Sequence, residues 1–351
     1  MNQPVLSARA AGARSPLQAS LALTLLAGLL LAAVLGSAAL GAVRIPATDV
    51  LRGFGRMFGL PVSLDARSAG ILLSIRIPRV LMAVVAVAFM GIAGATMQGL
   101  FRNPLAEPAL IGVSSGGALG AVILIVAGAG LRARMPIWSL PLAAFTGSLG
   151  VSAVVYTIGR RGRSIATLLL AGIAVNAIAA ALTGFFTYFA TDAQLRDITF
   201  WTLGSLGGAT WGALGSSAAL AVPAGVVMIL SAAQLNALLL GDREAGHLGI
   251  AVSRVRRRLV VAGAACVGAV VASTGIIGFI GLVAPHLVRL VLGPDHRVLL
   301  PASTLTGALL LVVADTLSRL VLAPAELPVG IVTAFIGAPF FLYLLFRMEV
   351  H

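Results

Sequence analysis

Arginine supplies every basic side chain of the sequence, and this restricts the chemistry that the chain can perform. The sequence has 24 basic residues, and none of them is a lysine. The phosphate-binding loop of ATPases needs a lysine that reaches the β and γ phosphates, and Schiff-base chemistry needs a lysine amine. The chain therefore has no nucleotide site of its own, and ATP hydrolysis must take place on a partner subunit.

The other reactive side chains form no catalytic constellation. Cys266 stands alone within an apolar run, so packing is its expected role and an intramolecular disulfide is impossible. We find no HExxH motif, no paired buried aspartates and no serine with histidine at membrane depth, which argues against an intramembrane enzyme. We expect no catalytic residue, no metal site and no permanently bound cofactor.

The composition indicates a membrane protein. Hydrophobic residues make up 59% of the chain and charged residues 10%, with a mean hydropathy of +1.06, whereas a soluble domain has roughly 25% charged residues. The apolar runs are continuous and do not alternate, so they predict helices and not barrel strands. The predicted fold class is therefore all-α, a single transmembrane domain over residues 1–351.

Apolar runs near the length of about 20 residues that a bilayer requires predict ten spans. The eighth is the weakest, because Pro285, His286 and Arg289 interrupt it, and hydropathy alone would also allow nine. The predicted spans are Leu17–Leu40, Ile71–Gln98, Ala109–Gly128, Ile137–Ile158, Ile165–Ala190, Ala213–Ala233, Leu259–Thr274, Ile277–Leu292, Leu299–Leu322 and Val329–Phe346.

The arginines orient these spans. The net charge of +13 does not indicate nucleic-acid binding, because the arginines lie between apolar runs, where they set orientation in the membrane. Placing both termini in the cytoplasm puts 14 of the 24 arginines inside and ten outside, and six of those ten lie in or beside the outer loop 41–70. Two explanations for the outward arginines are open. They could form a docking surface for an acidic soluble partner, or membrane insertion could simply tolerate their charges.

One inner loop is long enough to form a surface. Residues 234–258 contain helix-forming stretches and the run Arg254, Arg256, Arg257 and Arg258 next to the membrane. Anionic lipid would hold such a loop. Alternatively, the loop is a folded surface that a cytoplasmic subunit grips.

Three long motifs resemble the permease family of bacterial importers for ferric siderophores, cobalamin and haem. They are FRNPLAEPALIGVSSGGALG from Phe101, GFIGLVAPHLVRLVLGPDHRVLLP and AELPVGIVTAFIGAP. The resemblance covers nearly the whole chain from Arg76 onward. It implies a homodimer of ten-helix subunits in the bacterial inner membrane, like the cobalamin importer permease, with two cytoplasmic ATPase subunits and a periplasmic binding protein.

The resemblance also implies roles for particular residues. The family's docking arginines correspond to Arg76, Arg79 and Arg319, for which snorkelling at the membrane edge is the alternative. The ATPase-coupling loop corresponds to residues 238–259, with Gly241, Ala245, Leu248 and Gly249 at its core. The cytoplasmic gate corresponds to Asn103, Leu105, Ser164, Ile165 and Ala166.

The transport path and its cargo are less sharply specified. Asn176 and Thr183 of span five would line the path, although an interhelical hydrogen bond would also explain Asn176. The segment Asp192–Gly208 looks most like the haem branch, so haem is the expected cargo, with a ferric siderophore or cobalamin as alternatives. No histidine is well placed as an axial ligand, but a path need not ligate its cargo.

A secondary carrier driven by an ion gradient is the alternative from another class. Such carriers usually keep an ionisable residue near the membrane midplane. The acidic residues that touch spans are Glu107, Asp315 and Glu326, and all three lie towards span ends. The sequence therefore favours an importer driven by ATP.

Overall fold

The computed structural model describes residues 16–128, 135–136, 138–161 and 165–349. Its regular structure consists of fifteen α-helices, with a π-helical turn at Leu72–Arg76 and a 3-10 turn at Pro108–Ile111. The α-helices are α1 (Pro16–Ala39), α2 (Ala47–Met57), α3 (Ala66–Ile71), α4 (Ile77–Phe101), α5 (Val113–Ala127), α6 (Ser139–Gly159), α7 (Ile165–Tyr188), α8 (Asp192–Thr202), α9 (Trp211–Leu230), α10 (Ala232–Leu239), α11 (Asp242–His247), α12 (Val252–Thr274), α13 (Ile280–Leu292), α14 (His296–Leu320) and α15 (Val329–Glu349).

Each of the ten predicted spans coincides with one of these helices: α1, α4, α5, α6, α7, α9, α12, α13, α14 and α15. Six helices within the described ranges are long and apolar enough by themselves to cross a bilayer. The loop predicted at 41–70 is partly helical, because α2 and α3 lie within or across it. Both are short, with 11 and 6 residues, so a hydropathy signal for a span does not detect them.

The eighth span is short for a structural reason. Helix α13 has 13 residues, which is about 20 Å at 1.5 Å per residue and less than the bilayer core. The chain from Gly275 to Phe279 is not helical, and Ser205 donates its backbone N–H to the carbonyl of Thr274. Non-helical backbone is tolerated at membrane depth only where protein covers it. Here the segment after α8 and the start of α15 cover it.

Helix α4 forms the centre of the bundle, because nearly all of its residues are buried. It runs antiparallel to α14, and glycines permit the close crossing. A Cβ atom at Gly91 would lie 2.3 Å from the carbonyl oxygen of Ser303, and one at Gly94 would lie 1.7 Å from that of Gly281 on α13. Lipid provides no hydrophobic driving force for helix association, so the close van der Waals packing that small residues allow stabilises this contact.

The α5–α6 hairpin depends on a glycine contact that can be tested. A Cβ at Gly147 would lie 2.2 Å from the carbonyl oxygen of Gly116, whereas nothing lies within 4 Å of one at Gly150 on the same helix. We expect Gly147→Ala to destabilise the protein by about 1–3 kcal/mol through overpacking. Gly150→Ala is the matched control, and equal thermal unfolding midpoints in detergent for the two variants would contradict the assigned contact.

The bundle has two distinct ends. We call the end where α1 and α14 finish and α4 begins the arginine end. The opposite end, where α4 finishes and α12 and α14 begin, is the coupling end. At the coupling end His296 is buried, and its Nδ1 lies 2.8 Å from the side-chain oxygen of Asn236. Gly99 packs against its ring, since a Cβ there would lie 2.3 Å from Nε2.

Candidate functional sites at the two ends of the bundle

Arg76 ties the π-helical turn to the end of α1 at the arginine end. Its Nη1 donates to the carbonyl oxygens of Ala38 and Ala39 at 2.8 and 2.9 Å, and its Nη2 donates to that of Val43. The last carbonyls of a helix have no partner within the helix and carry partial negative charge. The guanidinium group of Arg76 therefore supplies hydrogen-bond donors to these carbonyls and offsets the partial negative charge at the end of α1.

Arg79 and Arg319 share one buried carboxylate. Asp315 on α14 is fully buried, and it accepts from Nη2 of Arg79 at 2.9 Å and from Nε of Arg319 at 3.2 Å. Arg319 also donates to the carbonyl oxygens of Leu40 and Ser37. Planar guanidinium groups suit such multiple contacts better than an ammonium would.

Glu326 completes this arginine cluster, which consists of Arg76, Arg79, Asp315, Arg319 and Glu326. Its carboxylate lies 2.7 Å from Nη1 of Arg79, and its side chain is 46% exposed. The three guanidinium groups face two carboxylates, so the cluster keeps a net positive charge. Glu326 is the exposed member of this cluster, whereas its other four residues are buried.

The three arginines that the resemblance assigns to docking are covered by other groups of this chain. Arg76, Arg79 and Arg319 are only 6 to 7% exposed, and they do not snorkel, since each is held by groups of the same chain. Arg76 and Arg79 also have different partners, although they are only three residues apart. The docking role of Arg76, Arg79 and Arg319 stays a prediction.

At the coupling end, the predicted coupling residues divide into a surface pair and a buried pair. Leu248 is 65% exposed, and Gly249 follows it with a φ of +81° and open space around its Cβ position. Ala245 is fully buried, and Gly241 is buried with a φ of +123°. Ala245 and Gly241 therefore support α11 from inside, whereas Leu248 and Gly249 are accessible to a partner and Leu248 is the larger apolar group.

An ion-pair bridge, not foreseen from the sequence, connects α11 to two long helices. Asp242 lies 3.0 Å from Nη2 of Arg256 on α12 and 3.8 Å from Nη2 of Arg102. Arg102 is the residue after α4 and has a left-handed φ of +51°. Force applied to α11 would thus reach both α12 and the turn after α4.

The predicted gate is only partly described. Asn103 turns the chain after α4, because its side-chain oxygen accepts from the backbone N–H of Leu105 at 2.9 Å. Ala166 is exposed on the first turn of α7. Ser164 lies outside the described residues, as does the side chain of Ile165, so the gate stays a prediction.

The turn after α4, which contains Glu107, lies against the start of α13. A Cβ atom at Gly281 on α13 would lie 3.7 Å from the side chain of Pro108, the residue after Glu107. Phe279 precedes α13 with a φ of +67°.

The two predicted path residues make local hydrogen bonds. The side-chain oxygen of Asn176 accepts from Ser115 at 2.5 Å, and its nitrogen donates to the carbonyl of Ala109 at 3.2 Å. Thr183 donates to the carbonyl of Ala179 one turn earlier. The interhelical hydrogen bond considered for Asn176 is therefore present, and the role of both residues in a path stays a prediction.

An apolar cavity of about 550 Å³ opens between the non-helical segment before α13, the end of α8 and α15. Phe279, Ile276, Phe335 and Pro339 contribute to its wall, with Thr202 among its few polar groups. Its volume lies within the range of about 300–1,000 Å³ that is typical of small-molecule sites. The cavity could therefore accept an apolar ligand at the open face of α15.

The sequence model of the FecCD transport family matches residues 29–347, which is nearly the whole chain. The chain belongs to this family. This FecCD permease is 48% identical over 278 residues to a hemin transport system permease protein of Yersinia pestis, covering 79% of this chain and 83% of that protein. The resemblance inferred from the three motifs is thus confirmed.

Other relatives agree with this assignment. The FecCD permease is 42% identical over 284 residues to a vitamin B12 import system permease protein of Salmonella arizonae, covering 81% of this chain and 85% of that protein. A cobalamin import system permease protein of Halobacterium salinarum is 41% identical over 308 residues, or 87% and 80% of the two chains.

A solved structure of a metal-chelate type ABC transporter in an inward-facing conformation matches the fold of this FecCD permease. Its TM-score is 0.82 at 29% identity, over 93% of this chain and 98% of that one. The all-α fold and the role of a multi-pass permease in an ATP-driven importer are therefore confirmed. Among the described residues, no cluster of His, Cys, Asp or Glu could hold a metal ion.

Proposed function

We propose that this permease carries haem from a periplasmic binding protein into the cytoplasm, driven by separate ATPase subunits. The observation that carries the cargo assignment is the 48% identity to a hemin transport permease, against 42% and 41% for two permeases of vitamin B12 or cobalamin. The resemblance of Asp192–Gly208 to the haem branch supports the same choice.

The apolar cavity beside α15 supports an apolar, planar cargo. Its wall presents aromatic and aliphatic side chains, among them Phe279, Phe335 and Ile331. Contacts of this kind shield a macrocycle from water without holding it by a metal–ligand bond. Weak contacts suit transport, because cargo that binds tightly leaves slowly.

The proposed assembly is a homodimer of permeases with two ATPase subunits and one binding protein. The coupling end would face the cytoplasm together with both termini, where Leu248 would seat in the ATPase and ATP would be bound by that partner. The arginine end would face the periplasm, where Arg76, Arg79 and Arg319 would attract carboxylates of the binding protein. The net positive charge of the arginine cluster supports this docking.

The function is tested by reconstituting the permease in vesicles with its ATPase and binding protein. We expect ATP-dependent uptake of haem and little uptake of cobalamin or a ferric siderophore. The control is the same complex with the phosphate-loop lysine of the ATPase subunits replaced, which removes the contact to the β and γ phosphates.

Each alternative gives a different result in this experiment. Uptake of cobalamin or a siderophore instead of haem would contradict the cargo assignment and leave the ATP-driven mechanism intact. Uptake driven by a proton or sodium gradient without ATP would contradict the mechanism itself.

A further inference from the structure

A cleft of about 890 Å³ lies between α9 and α12 and extends to the coupling end of the bundle. From α9 its wall includes Leu220, Pro223 and Val227, which follow one another at helical spacing on one face. From α12 it includes Val261 and Ala265. Leu220 and Val261 are 44% and 56% exposed, so the apolar wall is open to the surroundings of the bundle.

Three arginines stand at the mouth of this cleft. Arg254, Arg257 and Arg258 all line it, because residues three and four apart lie on the same face of a helix. Arg256 points elsewhere, since it pairs with Asp242. The run of arginines that the sequence places beside the membrane therefore divides between two surfaces, and three of the four side chains belong to the cleft.

The positive charge at the mouth is not compensated by the protein. None of the described residues that line the cleft is acidic. Arg258 donates to the hydroxyl oxygen of Ser231 at 3.0 Å and to the side-chain oxygen of Gln234, and both of these acceptors are neutral. Within the described ranges no salt bridge involves Arg254 or Arg257. The cleft thus presents three guanidinium groups to an anion.

The cleft also crosses the level where a bilayer changes from polar to apolar. From Leu259 to Thr274, α12 contains no charged residue, and neither does α9 from Trp211 to Leu230. The arginines, Ser231 and Gln234 lie just beyond these apolar stretches. A ligand of the whole cleft therefore needs an anionic head at the interface and an apolar tail that reaches into the membrane.

We propose that the cleft binds an anionic phospholipid. The phosphate group would accept hydrogen bonds from Arg254, Arg257 and Arg258, and an acyl chain would lie along Leu220, Val227 and Val261. Such a lipid would brace the first two turns of α12 against α9. These turns also carry Arg256, which contacts α11, so the lipid would stabilise the part of α12 that supports α11.

The test is native mass spectrometry of the full-length permease in detergent with added dioleoyl phosphatidylglycerol. We expect retention of this lipid and not of dioleoyl phosphatidylcholine. Replacing Arg254, Arg257 and Arg258 by glutamine is expected to weaken retention by about fivefold for each arginine removed, because one basic residue near anionic lipid contributes about 1 kcal/mol. Arg161→Gln is the matched control, since Arg161 is an exposed arginine at the end of α6 and away from the cleft.

A second variant tests the apolar wall with all arginines in place. Ala265→Phe fills the cleft, and we expect it to lower retention of phosphatidylglycerol at least severalfold while the thermal unfolding midpoint without lipid is maintained. Equal retention by the triple variant and the wild type would overturn the proposal, as would equal retention of the two lipids.

Two further outcomes separate a lipid from other occupants. Displacement of phosphatidylglycerol by millimolar inorganic phosphate would show a free-anion site and overturn the assignment to lipid. Loss of bound lipid when the ATPase subunits assemble with the permease would show that the partner covers the cleft, and would overturn it equally. Retention in the assembled complex supports it.

Discussion

Asp315→Asn is expected to destabilise the permease by about 3–5 kcal/mol, which is the cost of breaking a buried ion pair by removing one partner. Asp315 is fully buried and is the shared acceptor of Arg79 and Arg319. Without this charge, the one carboxylate left in the cluster is that of Glu326, which contacts Arg79. Arg319 would then have no carboxylate partner in the cluster. The measurement is the unfolding of the purified permease in detergent, followed by tryptophan fluorescence.

Asp49→Asn is the matched control for this variant. Asp49 also pairs with an arginine in the described structure, but this pair lies near the surface, with side-chain exposures of 52% for Arg52 and 19% for Asp49, and surface pairs contribute about 0–1 kcal/mol. The double variant Asp315→Asn, Arg319→Gln is expected to lose less stability than the two single changes added together, because the two residues contact each other. A loss below about 1 kcal/mol for Asp315→Asn would contradict the role assigned to this carboxylate.

Leu248→Asp is expected to abolish ATP-driven transport while the permease still folds. Leu248 is 65% exposed, so the fold does not depend on it, but it is the apolar side chain that the proposed coupling surface offers to the ATPase. Loss of an anchor residue from an interface costs about 2 kcal/mol or more, which corresponds to a drop in affinity of more than tenfold. Co-purification of ATPase subunits and ATP-dependent uptake measure the effect.

Leu248→Met serves as the control at the same position, because methionine keeps the apolar volume and should retain assembly. The unfolding midpoint of Leu248→Asp should equal that of the wild type. If the aspartate variant assembles with the ATPase and transports normally, Leu248 is not part of the coupling surface.

The number and positions of the spans were predictable from the sequence, because each depends on a local property. A run of about 20 apolar residues buries its own backbone hydrogen bonds only as a helix. Helix α13 does not follow from this local property. Its 13 residues and the non-helical segment before it are stable only because α15 and the segment after α8 cover that backbone, and the hydropathy of one segment does not report what covers it.

The candidate sites were predictable only in part, since their residues are far apart in the chain. Asp315 follows Arg79 by 236 positions, and no spacing rule connects an arginine in one helix with a carboxylate in another. The burial of Ala245 beneath α11 and the bridge from Asp242 to Arg102 and Arg256 depend in the same way on how helices pack. Leu248 was assigned from the family resemblance, and its exposure also depends on how the helices pack, whereas its contact with an ATPase stays a prediction.

The sequence alone was enough to predict a helical membrane protein of a permease family, with ATP hydrolysis expected on a partner subunit. The first prediction follows from hydropathy, the second from the three long motifs, and the third from the lack of any lysine. Only the tertiary structure decided which groups the arginines meet. Three of them pair within the chain at the arginine end, and three others line an open cleft beside α9. The reason is that the number of charged residues can be read from the sequence, whereas the groups that neutralise each charge come from distant parts of the chain and become neighbours only on folding.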